Sequence, residues 1–188
     1  MASALNVMRY NTADEGRIAN LISKMTAAEY FGWGEHTLCT VAKSEERFTV
    51  VEGTYIGNPC WSGSVWTLTN KAVIQALDSC GQQELAAQLA CMTIQEFAGD
   101  FTEFPHPFTG EGHGVRDYGW TAAQWIQILI EDIFGIDYDA VNGKITVSPN
   151  IPSEYRGEEF ILENLCLPDG GKLDVHIKEG NVQYEKKD

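Results

Sequence analysis

The sequence predicts a mainly α-helical chain that ends in a small antiparallel β-sheet. Three observations carry that expectation. Apolar residues recur at helical spacing through four segments of the first 134 residues. From residue 144 onward the period falls to two, with Asn-Gly, Asp-Gly-Gly and Gly-Asn turn signals between short runs. Helical patterns come first and strand patterns after, dividing the chain into a helical unit at 1–140 and a β extension packed on it at 141–188.

The first helix is expected over 12–30. Thr12 and Glu15 fit a capping box, and Ile18, Leu21, Ile22 and Met25 follow at helical spacing. Residues 35–64 read mostly as loop, with a β-prone run at 48–51 and a turn at Asn58-Pro59. Segments 66–79 and 82–98 read as two helices folded back on each other, with the break at Cys80-Gly81. Ala86, Ala87 and Ala90 on the second permit close approach. Thr121 can cap a fourth helix, 122–134. That helix is apolar on nearly all sides and so is expected to be buried on more than one face. Strands are expected at 144–147, 159–162, 172–177 and 182–184.

Composition narrows the partners. The 188 residues suffice for one core, 44% of them are hydrophobic and five are Trp. A net charge of −14 repels phosphate backbones and anionic lipid headgroups, so neither nucleic acid nor membrane is an expected partner. No apolar run approaches the roughly 20 residues that span a bilayer. The five cysteines are odd in number and form no C-x-x-C pair, and the start MASALNVMRYNTADEG has no secretory pattern. Together these point to the cytoplasm.

The chemistry concentrates in FTEFPHPFTGEGHGVRDYGW, residues 101–120. Glu103 stands among aromatics, a setting in which a carboxylate can activate water. Glu111 and Asp117 follow, and paired carboxylates are the equipment of glycoside hydrolysis. Turn-capping or surface roles for the same three acids stand beside that reading. Trp61, Trp66, Tyr118 and Trp120 lie in or beside glycine-containing loops, where indole faces either stack on sugar rings or plug a helical bundle. His106 and His113 are loop histidines suited to bonding backbone or ligand. A metal set drawn from His36, Cys39, His106, Glu111 and His113 lacks a second pair at zinc spacing, so no metal or cofactor is expected.

These residues fall into a recognisable order. Cys60-Trp61-Ser62-Gly63-Ser64-Val65-Trp66-Thr67-Leu68-Thr69-Asn70 resembles the W-x-G-x-x-W-x-x-x-N segment of the (α/α)6-barrel glycoside hydrolases, in particular the mannosylglycerate hydrolase-like and processing α-glucosidase groups. The run from Thr102 to Gly110 is similar to their E-x-[YF]-x-P-x-T-G segment, and Tyr118-Gly119-Trp120-Thr121-Ala122-Ala123 to the [FY]-x-W-[ST]-A-A run that follows. The resemblance covers roughly residues 50–170. It implies a partial (α/α)6 toroid of αα-hairpins. It implies that Glu103 is the general base of an inverting enzyme acting on α-linked glucosides or mannosides. A sugar subsite would be lined by Trp61, Trp66 and Trp120, with His106, Glu111, His113 and Tyr118 beside it. Two departures qualify this. Ser62 and Ser64 stand where the family often has Arg and Pro, and nothing before residue 50 resembles the segment that supplies the general acid. The resemblance therefore also implies a missing N-terminal barrel portion, or self-association to cover apolar surface, with an isolated chain that is inactive. A non-catalytic carbohydrate-binding or interaction module derived from such an enzyme is the alternative.

Overall fold

The structure, a computed structural model, describes residues 10, 13–50 and 60–187. Thr12 of the expected capping box, Val51 and the Asn58-Pro59 turn lie outside these residues.

The first helical stretch is broken in two. Helix α1 spans Glu15–Met25 and is capped by Asp14, whose carboxylate accepts from Arg17 N at 2.9 Å. It ends at Thr26, whose hydroxyl donates to Ile22 O at 3.0 Å, and the next residue, Ala27, is extended. A short helix α2, Ala28–Phe31, follows. Residues 48–50 form no strand. Helices α3, Thr67–Ser79, and α4, Gln83–Glu96, form the expected αα-hairpin. Its turn is closed by Gly81 N and Gln82 N donating to Asp78 O and Leu77 O.

Between α4 and the next helix the chain makes a hairpin of two-residue strands, β1 (Phe104–Pro105) and β2 (Gly112–His113). Helix α5 spans Gly119–Gln127, starting earlier than expected, so Thr121 lies buried inside it and does not cap it. Ile128–Ile133 then continue as a π-helical segment. Adjacent residues of an α-helix point about 100° apart, and the wider π winding brings Glu131 and Asp132 closer together in direction. Both meet the buried Lys71 of α3, at 3.1 and 2.6 Å. Burial pushes the Asp132 carboxyl above its ordinary range, and the Lys71 ammonium opposes the shift.

The C-terminal part is sheet. Strands β3 (Ile136–Asp139) and β4 (Lys144–Val147) pair antiparallel, and β5 (Glu159–Cys166), β6 (Lys172–Lys178) and β7 (Asn181–Lys187) form a three-stranded meander in that order. Leu173, Val175 and Ile177 of β6 face inward. They join Met25, Phe31, Leu38, Val73, Ile74, Leu77, Leu89, Phe97, Ile128 and Phe134 in one hydrophobic core.

The expectation of a mainly α chain forming a partial toroid of αα-hairpins is overturned. Among the described residues 38% are helical and 22% lie in strands, with five α-helices and three small antiparallel sheets. The reasons are local. The first helix breaks where Ala27 turns extended, a β-hairpin separates α4 from α5, and the period-two tail makes strands that complete the core. The helix expected at 122–134, which is α5 followed by the π-helical segment, buries Ile128 and Ile133 but leaves Ile126 50% exposed.

Candidate active site

The unusual stretch 101–120 is an ordered hairpin. Glu103 N donates to Val115 O at 2.9 Å, Phe104 and Pro105 pair with His113 and Gly112, and His106 N donates to Glu111 O at 2.8 Å. The tip is wound around His106, whose Nδ1 accepts from Phe108 N and Thr109 N, each at 3.2 Å. His106 therefore bonds backbone, one of the two uses expected for it. At the base, Tyr118 N donates to Phe101 O at 2.7 Å and hands the chain to α5.

Glu103 is buried, and its Oε2 accepts from Val115 N at 3.1 Å. The carboxylate is thus held across the hairpin by the strand that faces it. Gly114, at φ +77°, makes this approach possible. A Cβ there would lie 2.6 Å from Glu103 Oε2 and 2.8 Å from Phe104 Cε1. Glu103 Oε1 accepts no hydrogen bond among the described residues.

Next to the carboxylate, aromatic rings form a continuous stack. Trp61 lies on Trp66 at 3.7 Å and 11°, Trp66 on Phe104 at 5.3 Å and 27°, and Phe104 on His113 at 6.4 Å and 22°. His113 meets His106 at 5.9 Å. Trp66 is buried, its Nε1 donating to Cys60 O at 3.1 Å, whereas Trp61 keeps an open face. The tryptophan loop is joined to the hairpin by Val65 N donating to Pro105 O at 3.1 Å. Cys60, Trp66 and Phe104 form a second hydrophobic cluster, against which Tyr118 packs. Tyr118 also meets Trp120 at 6.4 Å.

The structure therefore brings Trp61, Trp66, His106, His113, Tyr118 and Trp120 into one run of ring contacts around Phe104, the residue after Glu103. Glu111 is exposed at the hairpin tip, where its backbone N donates to Thr109 Oγ1. His36 and Cys39 go separate ways: His36 Nδ1 pairs with Glu96, while Cys39 Sγ donates to Val41 O. Two features escaped the sequence reading. The His36–Glu96 pair is 60 residues apart in the chain, and no local pattern links the two. Asn70 is fully buried with neither Oδ1 nor Nδ2 hydrogen-bonded among the described residues. Its one signal was its place at the end of the tryptophan segment.

The sequence model of the mannosylglycerate hydrolase MGH1-like glycoside hydrolase domain matches residues 2–121, more than half of the chain. The chain belongs to this family. The match takes in the tryptophan loop, the Glu103 hairpin and the start of α5.

Solved structures agree at the level of fold. A GH63 mannosylglycerate hydrolase from Thermus thermophilus in complex with glucose is 25% identical. The match has a TM-score of 0.50 and covers 64% of this chain and 29% of that one. The same enzyme in complex with Tris is 24% identical, with a TM-score of 0.52 and coverage of 63% and 27%. Its complex with Tris and D-glycerate is 24% identical, with a TM-score of 0.51 and coverage of 64% and 28%. The chain thus spans less than a third of the length of these glycoside hydrolase structures. No curated protein sequence matches it.

Proposed function

We propose that this chain is the catalytic-base portion of an inverting glycoside hydrolase that acts on α-linked glucosides or mannosides, with Glu103 as the base. The observation that carries the reading is the buried Glu103 carboxylate, gripped at Oε2 by Val115 N–H beside the Trp61–Trp66–Phe104 stack. With Oε2 engaged, Oε1 takes the proton from a water that attacks the anomeric carbon. The glycosidic bond breaks on the opposite side, and the leaving oxygen is protonated by a general acid. The open face of Trp61 stacks on the sugar, with Trp120, Tyr118 and His113 completing the subsite and Trp66 backing Trp61 from below. His106 shapes the hairpin that presents the base, and Glu111 lies at the rim.

An inverting pair of carboxyls stands roughly 6.5–9.5 Å apart to admit the water. We assign the acid to a segment outside these residues. The chain's short span on its solved relatives supports that, as does the uncovered side of α5 at Trp120 and Ile126. On this reading the 188 residues alone are inactive. They work when joined by a segment that supplies the acid, or by a second copy that covers α5. Buried thiols fit a reducing, cytoplasmic setting: burial pushes Cys39 and Cys91 up to about 11.

The experiment is hydrolysis of aryl α-glucosides and α-mannosides by the chain alone and by the chain with its completing segment, following the product anomer by proton NMR. The completed assembly releases the inverted anomer, and Glu103→Gln lowers its kcat by about 10²–10⁴-fold. Wild-type turnover by Glu103→Gln, or a product of retained configuration, sinks the assignment.

A further inference from the structure

We propose that His36 and Glu96 form a positioning pair that seats the tip of the Glu103 hairpin and so fixes the direction of its carboxylate. The inference rests on the reading of Glu103 as the base. It concerns two residues that touch no candidate site residue directly.

Glu96 is the last residue of α4. A carboxylate there faces the negative end of the helix dipole and is disfavoured unless a cation or donor meets it. His36, from the turn after α2, places Nδ1 at 3.1 Å from both Glu96 oxygens. The two side chains are only 21% and 10% exposed, and with Gly34, Thr37, Met92 and Gln95 they line a cleft of 290 Å³.

What lies on the pair is Gly110. A Cβ at that position would be 3.0 Å from His36 Cε1 and 3.2 Å from Glu96 Oε1, and the backbone is left-handed at φ +68°. Both the contact and the conformation call for glycine. From this seat, backbone bonds run unbroken to the carboxylate. Gly110 N donates to His106 O, His106 N to Glu111 O, and Glu103 N to Val115 O across the paired strands. Val115 N closes the path on Glu103 Oε2. The opposite side of the tip is held by Phe108, 5.8 Å from Phe48 and 4.7 Å from the Lys43 ammonium. Two grips on one turn leave it a single orientation, and of the two only the His36–Glu96 grip is shaped to a glycine.

The test is the backbone amide of Val115, read by NMR hydrogen exchange on the full chain with no activity needed. His36→Leu removes the pair from below. Gly110→Ala pushes the tip off an intact pair, so a folding failure of one variant leaves the other to decide. Both are expected to speed Val115 exchange by about tenfold, the factor for losing roughly one hydrogen bond. The amides of Leu77 and Leu89, in the α3–α4 core, stay unchanged. His36→Asn, whose amide can donate to Glu96 from near the Nδ1 position, restores protection. Unchanged Val115 exchange in a folded His36→Leu or Gly110→Ala variant overturns the proposal. So does a His36→Asn variant as unprotected as His36→Leu. The base assignment fails separately, through an active Glu103→Gln enzyme.

Discussion

The β1–β2 hairpin and the β5–β7 sheet are both antiparallel, and they are held by different physics. In the sheet, alternate residues of β6 drive Leu173, Val175 and Ile177 into the main core, while the other side carries polar contacts such as the His176–Glu159 hydrogen bond and the Lys187–Asp174 ion pair. Any sequence with that alternation and those turns would make a similar sheet. In the hairpin each strand is two residues long, too short for alternation to hold it. It stands on particular contacts: a carboxylate on an amide, a histidine capping its own turn, a glycine on the His36–Glu96 pair, and Phe104 between Trp66 and His113. A generic element tolerates change at most positions. A specific one fails at single atoms, and that is where chemistry is placed.

The sharpest way to test the contrast is to truncate one buried side chain in each region. Leu173 and Phe104 are both fully buried, but Phe104 belongs to the small cluster with Cys60 and Trp66. Leu173→Ala is expected to cost about 2–5 kcal/mol of global stability in urea unfolding. Phe104→Ala removes more atoms. Its loss is expected chiefly in the exchange of hairpin amides such as Val115 and His106, with the urea midpoint moving far less than for Leu173→Ala. Equal, global destabilisation by both would show that the hairpin is an ordinary part of the core, and the contrast would be lost.

A single added methyl sharpens it further. Gly114→Ala puts a Cβ against the Glu103 carboxylate and forces alanine into a left-handed conformation. The combined strain is about 1–3 kcal/mol. It should appear as loss of the Val115–Glu103 bond and, in a completed assembly, as lower kcat. Gly180→Ala, in the β6–β7 turn, also meets a positive φ but no neighbour within contact. It is expected to cost less and to leave the hairpin amides untouched.

The same contrast sets what could be read from sequence. The αα-hairpin was legible because helical period and a Cys80-Gly81 break are local signals, and α3 and α4 fall within two residues of their expected bounds. Strand β4 lies at 144–147 as its pattern indicated, and β5 to β7 extend the expected runs. Strand β3, Ile136–Asp139, was missed because two of its four residues are aspartates, and it is recruited by pairing with β4. Mainly α was the wrong class because β5 to β7 run longer than their patterns indicated, β3 carries no strand signal of its own, and the expected first helix breaks at Thr26. At the candidate site the residues were legible as a group, through their aromatic and glycine-rich company. Their arrangement was not. Trp66 lies beneath Trp61, out of solvent, and the seat under Gly110 is built from residues 60 positions apart.

The smallest effect belongs to the outer face of the sheet, and it can be read as a pH dependence. His176 Nε2 lies 2.6 Å from Glu159 Oε1 and Lys178 Nζ 3.5 Å from it. The His176 hydrogen bond, followed by the Lys178 charge, holds the Glu159 carboxyl below its ordinary 4.5. A carboxyl lowered in the folded state contributes stability that is present above 4.5 and is lost as pH falls through the folded value. Glu159→Gln should therefore lower the melting midpoint at neutral pH and converge with wild type in acid. Because the pair is exposed to solvent, the neutral shift is expected to be about 1 °C or less and to fade in high salt. A larger shift, or one that persists in salt, would mean that the outer face of the sheet is held by specific contacts as the hairpin is.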